Sequence, residues 1–174
     1  MRRIFQGVFV AATLALTASA SIAAPTSLDF GGSTLQRLRA GNTGSDRFTE
    51  YGSKNDGVPE TLTVRIISEA TPFEAQVGKL VKTIRAKNPT AKISVLQRPN
   101  ARDVIISCLA DRPNSNVSYM LWRMTTANER VVAAIYQVDF DIGDEDAKER
   151  VIKHTAERAL AAYDSGKILE LVSD

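Results

Sequence analysis

Four strand-like runs follow one another between Lys92 and Phe140, and they constrain the fold more than any other feature of the sequence. They cover 92–97, 103–110, 117–124 and 130–140, and the segments between them are rich in turn-forming residues. Successive strands joined by short turns pair antiparallel. This part of the chain therefore predicts an antiparallel β-sheet.

The third and fourth runs have the patterns of strands inside a sheet. The third carries apolar bulk at both alternating sets of positions, which are Tyr119, Leu121 and Arg123 on one side and Ser118, Met120, Trp122 and Met124 on the other. The fourth contains the continuous stretch 131–136, which is apolar throughout. We expect both strands to be central and covered on both faces.

Two amphipathic helices flank these strands. The first is predicted to start at 71–74, where Thr71 is a cap, proline takes the first helical position and Glu74 completes a capping box. Asn88 and the following proline end it. Its predicted core face is Phe73, Val77, Leu80, Val81 and Ile84, and its solvent face carries Lys79, Lys82, Arg85 and Lys87. The second helix is predicted from an Asp144 cap to about Ser165.

The chain before the first helix contains less regular patterning. Residues 62–67 alternate as a half-buried strand, whereas 24–59 is rich in Gly, Ser, Asn, Asp and Thr and is predicted to be partly irregular. Within that segment a short strand is expected at 47–51, with a hairpin turn at Gly57. The overall prediction is an α+β fold over 60–166, with an antiparallel sheet of about five to six strands and two packed helices, followed by a short tail at 167–174.

The predicted order β, β, α, β, β, β, β, α resembles that of the Mog1/PsbP-like group of small sheet-and-helix proteins. The resemblance spans Phe48 to Tyr163 and rests on element order alone. It implies a non-catalytic accessory or binding role, and it transfers no site residue to this chain.

The first 23 residues have the layout of a cleavable signal peptide. Arg2 and Arg3 precede an uncharged, largely apolar run from Ile4 to about Ala18, and small residues follow. We expect cleavage after Ala23 and a periplasmic or secreted mature protein. The run falls short of a membrane-spanning helix. The arginine pair also fits part of a twin-arginine signal, although the general secretory route agrees better with the remaining positions.

Charge and cysteine content exclude several classes of function. Without residues 1–23 the 22 basic residues become 20, against 20 acidic ones, so the mature chain is close to neutral. A nucleic acid or an anionic membrane surface is therefore not expected as a partner. Cys108 is the only cysteine, which excludes an intramolecular disulfide, and its apolar neighbours predict a buried, inert thiol.

No motif in the sequence predicts a catalytic residue, a cofactor or a metal. His154 is the only histidine and is expected on a solvated helix face, so a zinc site lacks ligands. The acidic cluster at 139–146 does not have the spacing of a calcium-binding EF-hand. The basic run at 79–87 contains no interleaved aromatic residue of the kind that stacks on nucleic-acid bases.

The sequence thus favours an exported, non-enzymatic protein that binds a partner protein or peptide, as an accessory or assembly factor of an envelope process. The predicted ligand or partner surface is Trp122, Tyr119, Tyr136 and Arg123. Two alternatives stay open. One is a small apolar ligand carrier, and the other is a carboxylate-based hydrolase that would use two acids among Glu69, Asp103, Asp139 and Asp141. The oligomeric state is left open as well.

Overall fold

The computed structural model describes residues 24–55, 58–68, 71–98, 102–111, 116–127, 129–141, 145–164 and 166–171. Within these ranges eight strands form one sheet in which every pairing is antiparallel, and three helices accompany it. The predicted α+β class is confirmed. The strand count is higher than the five to six predicted.

Along the chain, a first meander of four strands is followed by a helix, a second meander of four strands and two further helices. Their bounds in chain order are β1 Ser27–Phe30, β2 Ser33–Thr43, β3 Asp46–Asn55, β4 Val58–Ile67, α1 Phe73–Lys87, β5 Lys92–Gln97, β6 Asp103–Asp111, β7 Asn116–Ala127, β8 Arg130–Asp141, α2 Glu145–Asp164 and α3 Lys167–Glu170. The predicted hairpin between β3 and β4 is confirmed by their antiparallel pairing.

The order of the strands across the sheet is β1-β2-β3-β4-β8-β7-β6-β5. The first meander runs inward from β1 to β4, and α1 then carries the chain across to β5 at the opposite edge. The second meander returns from β5 to β8. Strand β8 pairs with β4 and so joins the two meanders into one open sheet. This crossover leaves β5 and β1 as the two edge strands.

Two strands, β1 and β2, form where no strand was predicted. Of the eleven positions of β2, nine are exposed and only Ser33 and Leu35 are buried, so the strand lacks an alternating apolar pattern. Its pairing with β3 holds it in the sheet instead, with a register shift between Arg37 and Arg39. A sequence pattern that depends on burial cannot reveal such a strand.

Helix α1 covers one face of the sheet, called here the α1 face. Phe73 and Ile84 of the helix pack against alternate residues of β6, β7 and β8. The buried members of this cluster are Phe73, Ile84, Val104, Ile106, Cys108, Ala110, Trp122, Met124, Val131 and Ala133. The predicted core and solvent faces of α1 agree with this arrangement, because its four basic residues after Glu74 are all exposed.

Helices α2 and α3 cover the opposite face, called here the α2 face. The buried cluster there joins both meanders and consists of Phe30, Leu35, Tyr51, Leu62, Val64, Ile66, Ile105, Val117, Tyr119, Leu121, Val132, Ala134, Tyr136, Val138, Phe140, Ala159, Tyr163 and Ile168. Strands β7 and β8 contribute to both clusters. The prediction that they are central strands covered on both sides is therefore confirmed.

The start of α1 differs from the predicted capping box. Pro72 is the N-cap residue, with φ −52° and ψ 144°, and no side chain caps the helix. The predicted Thr71 cap is wrong by one position because the proline adopts extended rather than helical geometry. Thr71 contributes its backbone carbonyl instead, which accepts a hydrogen bond from Gln76 Nε2 at 2.9 Å.

Several predictions lie outside the described residues. They are the signal peptide at 1–23, the turn at Gly57, the Asp144 cap and the helix end at Ser165. Within the described part of the chain, no helix is both long enough and apolar enough to cross a membrane.

Candidate functional site

The four residues of the predicted ligand or partner surface do not come together on one surface. Tyr119 and Tyr136 belong to the core of the α2 face, whereas Trp122 belongs to the core of the α1 face. All three are buried, with at most 5% of each side chain exposed. Arg123 lies on the same side of β7 as Tyr119, because alternate residues of a strand share a face.

Arg123 ties the sheet to the end of α2. Its Nε and Nη2 donate to the two oxygens of Asp103, at 3.0 and 2.8 Å, and its Nη1 donates to the backbone carbonyl of Tyr163. Both charged side chains are largely buried, at 12% and 10% exposure. Arg98 pairs with Asp164 beside them, at 2.8 Å. This arrangement is structural, because its hydrogen-bonding groups are occupied by the protein itself.

The acids proposed for a hydrolase do not face one another in the described part of the chain. Asp103 is engaged by Arg123, and Asp139 accepts hydrogen bonds from Gln137 Nε2 at 3.1 Å. They stand on opposite faces of the sheet, as their positions in β6 and β8 relative to the two core clusters show. Glu69 and the side chain of Asp141 lie outside the described residues.

The other reactive side chains singled out from the sequence occupy unremarkable positions. His154 is exposed on α2. Cys108 is fully buried on the α1 face, and burial raises the pKa of its thiol, which keeps it protonated and unreactive. Among the described residues, no group of three or more His, Cys, Asp or Glu side chains is placed to hold a metal ion.

Glu60 is a buried carboxylate that the sequence did not single out. It is 5% exposed, and its Oε1 lies 3.5 Å from Nη2 of Arg158. The same arginine donates to the Gly31 carbonyl at 2.5 Å and to Ser33 Oγ at 2.7 Å. Arg158 thereby links α2 to the β1–β2 turn and to β4. Glu60 also lies close to the hydroxyl of Tyr136, and both burial and this negative charge raise the pKa of Tyr136.

Four buried tyrosines make the fold sensitive to alkaline pH. Burial raises the pKa of Tyr51, Tyr119, Tyr136 and Tyr163 above the ordinary value of 10.0. Above pH 10 the unfolded chain loses phenol protons that the folded chain keeps, so stability that is present below pH 10 is lost as the pH rises. Between its unfolded and its folded pKa, each such tyrosine lowers the free energy of unfolding by at most about 1.4 kcal/mol per pH unit.

We therefore expect alkaline unfolding in which tyrosinate absorbance and the loss of native circular dichroism appear together. A pH titration that follows both signals checks this. Tyrosinate formation in a chain that keeps its native circular dichroism would contradict it.

The edge strand β5 is the feature of this fold that is best suited to binding. No described strand pairs with its outer side. The backbone N–H of Arg98 donates to the Asp103 carbonyl at 2.9 Å. With the register of the β5–β6 pairing, this bond shows which alternate residues of β5 direct their backbone groups toward β6. Because antiparallel strands alternate in the direction of their hydrogen-bonding groups, the N–H and C=O groups of Ser94 and Leu96 point toward β6, and those of Ile93 and Val95 point outward.

Exposed apolar side chains accompany these outward-pointing groups. Val95 is 50% exposed on the α1 face and Leu96 is 60% exposed on the α2 face. The described chain has one other large hydrophobic residue with comparable exposure, Leu38 of β2 at 57%. Edge strands normally avoid this combination of free backbone groups and apolar side chains, because it favours pairing with another chain.

A scan against protein-family models and a search of the curated proteins each find no match to this chain. Function must therefore be sought in the side chains and in the shape of the molecule.

The sequence predicted β5 as a strand but did not indicate that it is an edge. Its apolar residues, Ile93, Val95 and Leu96, are compatible with a buried position. The signal that was available is the lysine at its start, since Lys92 is a residue type that protects edges.

Proposed function

We propose that this chain is an exported, non-enzymatic protein that binds an extended segment of a partner protein by adding it to the sheet beside β5. The observation that carries the proposal is the outer edge of β5, with which no described strand pairs and which the exposed side chains of Val95 and Leu96 flank. In strand addition, main-chain hydrogen bonds supply affinity and the flanking side chains supply specificity.

The remaining features of the chain support this class of function. The layout of residues 1–23 supports export to the periplasm or beyond. The engagement of Asp103 by Arg123 and of Asp139 by Gln137 gives no support to a hydrolase. The resemblance in element order to the Mog1/PsbP-like group, which we keep as a proposal, agrees with an accessory role in an envelope process.

The charge around β5 selects the chemistry of the partner. Helix α1 packs on the face toward which Val95 points. The charged residues of this helix are one acid, Glu74, and four cations, which are Lys79, Lys82, Arg85 and Lys87. Lys92 adds a further exposed cation at the start of β5. We therefore expect a segment with acidic residues and with apolar residues that contact Val95 and Leu96.

The proposal is tested by affinity capture from an envelope extract, with the full chain carrying a C-terminal tag. The wild type is compared with the variants Val95→Pro and Leu96→Lys. Proline at 95 removes an outward N–H and leaves the bonds to β6 intact. We expect the wild type to retain one envelope protein in stoichiometric amount, with retention that weakens as salt rises. Each variant should reduce the amount of partner retained by roughly tenfold or more.

Leu38→Lys is the matched control, since it places the same charge at an equally exposed leucine on β2. It should retain the partner fully, and circular dichroism should show that all variants fold. The proposal is overturned if the wild type retains nothing, if Val95→Pro binds as well as the wild type, or if the chain binds only a second copy of itself, as sedimentation would reveal.

A further inference from the structure

The edge strand β5 differs in chemistry from one end to the other. Its first residue is Lys92, and Lys87 ends α1 shortly before it; both lysines are exposed. The exposed apolar side chains of the strand come later, at Val95 with 50% exposure and Leu96 with 60%. The edge is therefore cationic where β5 begins and apolar toward its other end.

A short hydrogen-bonded turn joins the two lysines. The backbone N–H of Asn88 donates to the Ile84 carbonyl at 2.9 Å, and that of Ala91 donates to the Asn88 carbonyl at 3.1 Å. Neither Lys87 nor Lys92 forms an ion pair within the described parts of the chain. Both ammonium groups are therefore available to an anion at the start of β5.

At the opposite end of β5, two arginines are each paired with an aspartate. Arg98, which follows the strand, lies 2.8 Å from Asp164, and Arg123 lies 2.8 Å from Asp103. The charges of these four residues balance within the fold. An acidic residue of a bound segment consequently gains less at this end than at the two lysines.

The α2 face of β5 repeats this gradient along a single row of side chains. Because alternate residues of a strand share a face, Lys92, Ser94 and Leu96 stand in one row. The hydroxyl of Ser94 lies 2.9 Å from that of Ser107 on β6, so it is engaged within the sheet. A neighbouring strand on this face meets a cation at one end and an apolar side chain at the other.

We infer, on the basis of the proposed strand addition, that the partner segment runs antiparallel to β5 with its carboxylate groups at its C-terminal end. Its apolar residues then lie beside Val95 and Leu96, and its carboxylates lie at Lys87 and Lys92. Antiparallel pairing is the more stable arrangement per residue, and every described pairing of this sheet has it. The carboxylates belong to acidic side chains or to the end of the partner chain.

The test uses nuclear magnetic resonance titrations of the full chain with three peptides, read from the amide signals of Ile93 and Val95. The first is acetyl-Thr-Val-Val-Thr-Glu-Glu-amide, and the second has the reverse order, acetyl-Glu-Glu-Thr-Val-Val-Thr-amide. At low salt the first should bind about fivefold more tightly, as expected for exposed ion pairs. The third, acetyl-Thr-Val-Val-Thr-Gln-Gln with a free terminal carboxylate, separates the two sources. Binding as tight as that of the first peptide assigns the chain end, and weaker binding assigns acidic side chains.

Two double variants decide whether the lysines set the direction of the segment. Lys87→Gln, Lys92→Gln should abolish the preference for the first peptide over the second. Arg150→Gln, Lys153→Gln removes the same charge from exposed positions of α2 and should keep the preference.

The inference alone is overturned if the first two peptides shift the β5 amides with equal affinity, if the reversed peptide binds more tightly, or if the lysine variant keeps the preference. Strand addition at β5 stands in those three cases, because the β5 amides still respond. If no peptide shifts these amides, the proposed function fails together with the inference.

Discussion

Arg123→Met is expected to lower the free energy of unfolding by about 3–5 kcal/mol, because it leaves the Asp103 carboxylate buried without its counter-charge. The carboxylate is held by two short hydrogen bonds, of 3.0 and 2.8 Å, from the guanidinium. The same substitution also removes the donor to the Tyr163 carbonyl at the end of α2. Urea unfolding followed by circular dichroism measures the loss.

Two further variants separate the buried charge from a general effect of losing an arginine. Arg98→Met removes a partner of Asp164, but that aspartate is 48% exposed, so a loss below about 1 kcal/mol is expected. The double variant Arg123→Met, Asp103→Leu removes both buried charges and should recover a large part of the stability. Equal losses for Arg98→Met and Arg123→Met would contradict this account of the network.

Tyr163→Ala is expected to lower the free energy of unfolding by about 3–5 kcal/mol, because it opens a cavity in the core of the α2 face. Tyr163 is fully buried, and its ring centroid lies 5.4 Å from that of Phe30. Its hydroxyl donates to the carbonyl of Leu121 at 2.7 Å and accepts from the N–H of Tyr136 at 3.1 Å. Since Leu121 and Tyr136 are direct partners across β7 and β8, α2 is fastened to the centre of the sheet.

The Tyr163→Phe variant removes the hydroxyl and keeps the ring. It should lower the free energy of unfolding by about 1–3 kcal/mol because it leaves buried backbone groups without a partner. Tyr51→Phe is the matched control. That tyrosine is equally buried, but its hydroxyl has no hydrogen-bond partner among the described residues, so its loss should be close to neutral. Chemical unfolding of both variants gives the comparison, and a neutral Tyr163→Phe would show that the hydroxyl does not fasten the helix.

Periodicity was sufficient to predict the elements whose side chains are buried. Strands β5 to β8 and helix α1 were predicted nearly within their observed bounds, because alternation or a 3.6-residue repeat reflects burial directly. Strand β2 could not be found in this way, since most of its side chains face solvent. The position of β5 at an edge was also hidden, because it follows from the crossover through α1 rather than from the composition of 92–97.

The predicted ligand surface is informative about what a single sequence can reveal. Alternation along β7 already requires Trp122 to point away from Tyr119 and Arg123, so these residues could not share one face. The partner of Arg123 was not predictable in the same way. Asp103 lies beside it only because β6 and β7 pair in the register that sets Ile105 opposite Arg123.

Amide hydrogen exchange along β5, with and without the captured partner segment, is the most direct test of binding at this edge. In the free chain the amides of Ile93 and Val95 should exchange rapidly and those of Ser94 and Leu96 slowly, because only the latter point toward β6. We predict that the partner segment slows exchange at Ile93 and Val95 and leaves β2 unchanged. Protection that appears elsewhere in the chain, with Ile93 and Val95 still exchanging freely in the complex, would contradict the proposed function.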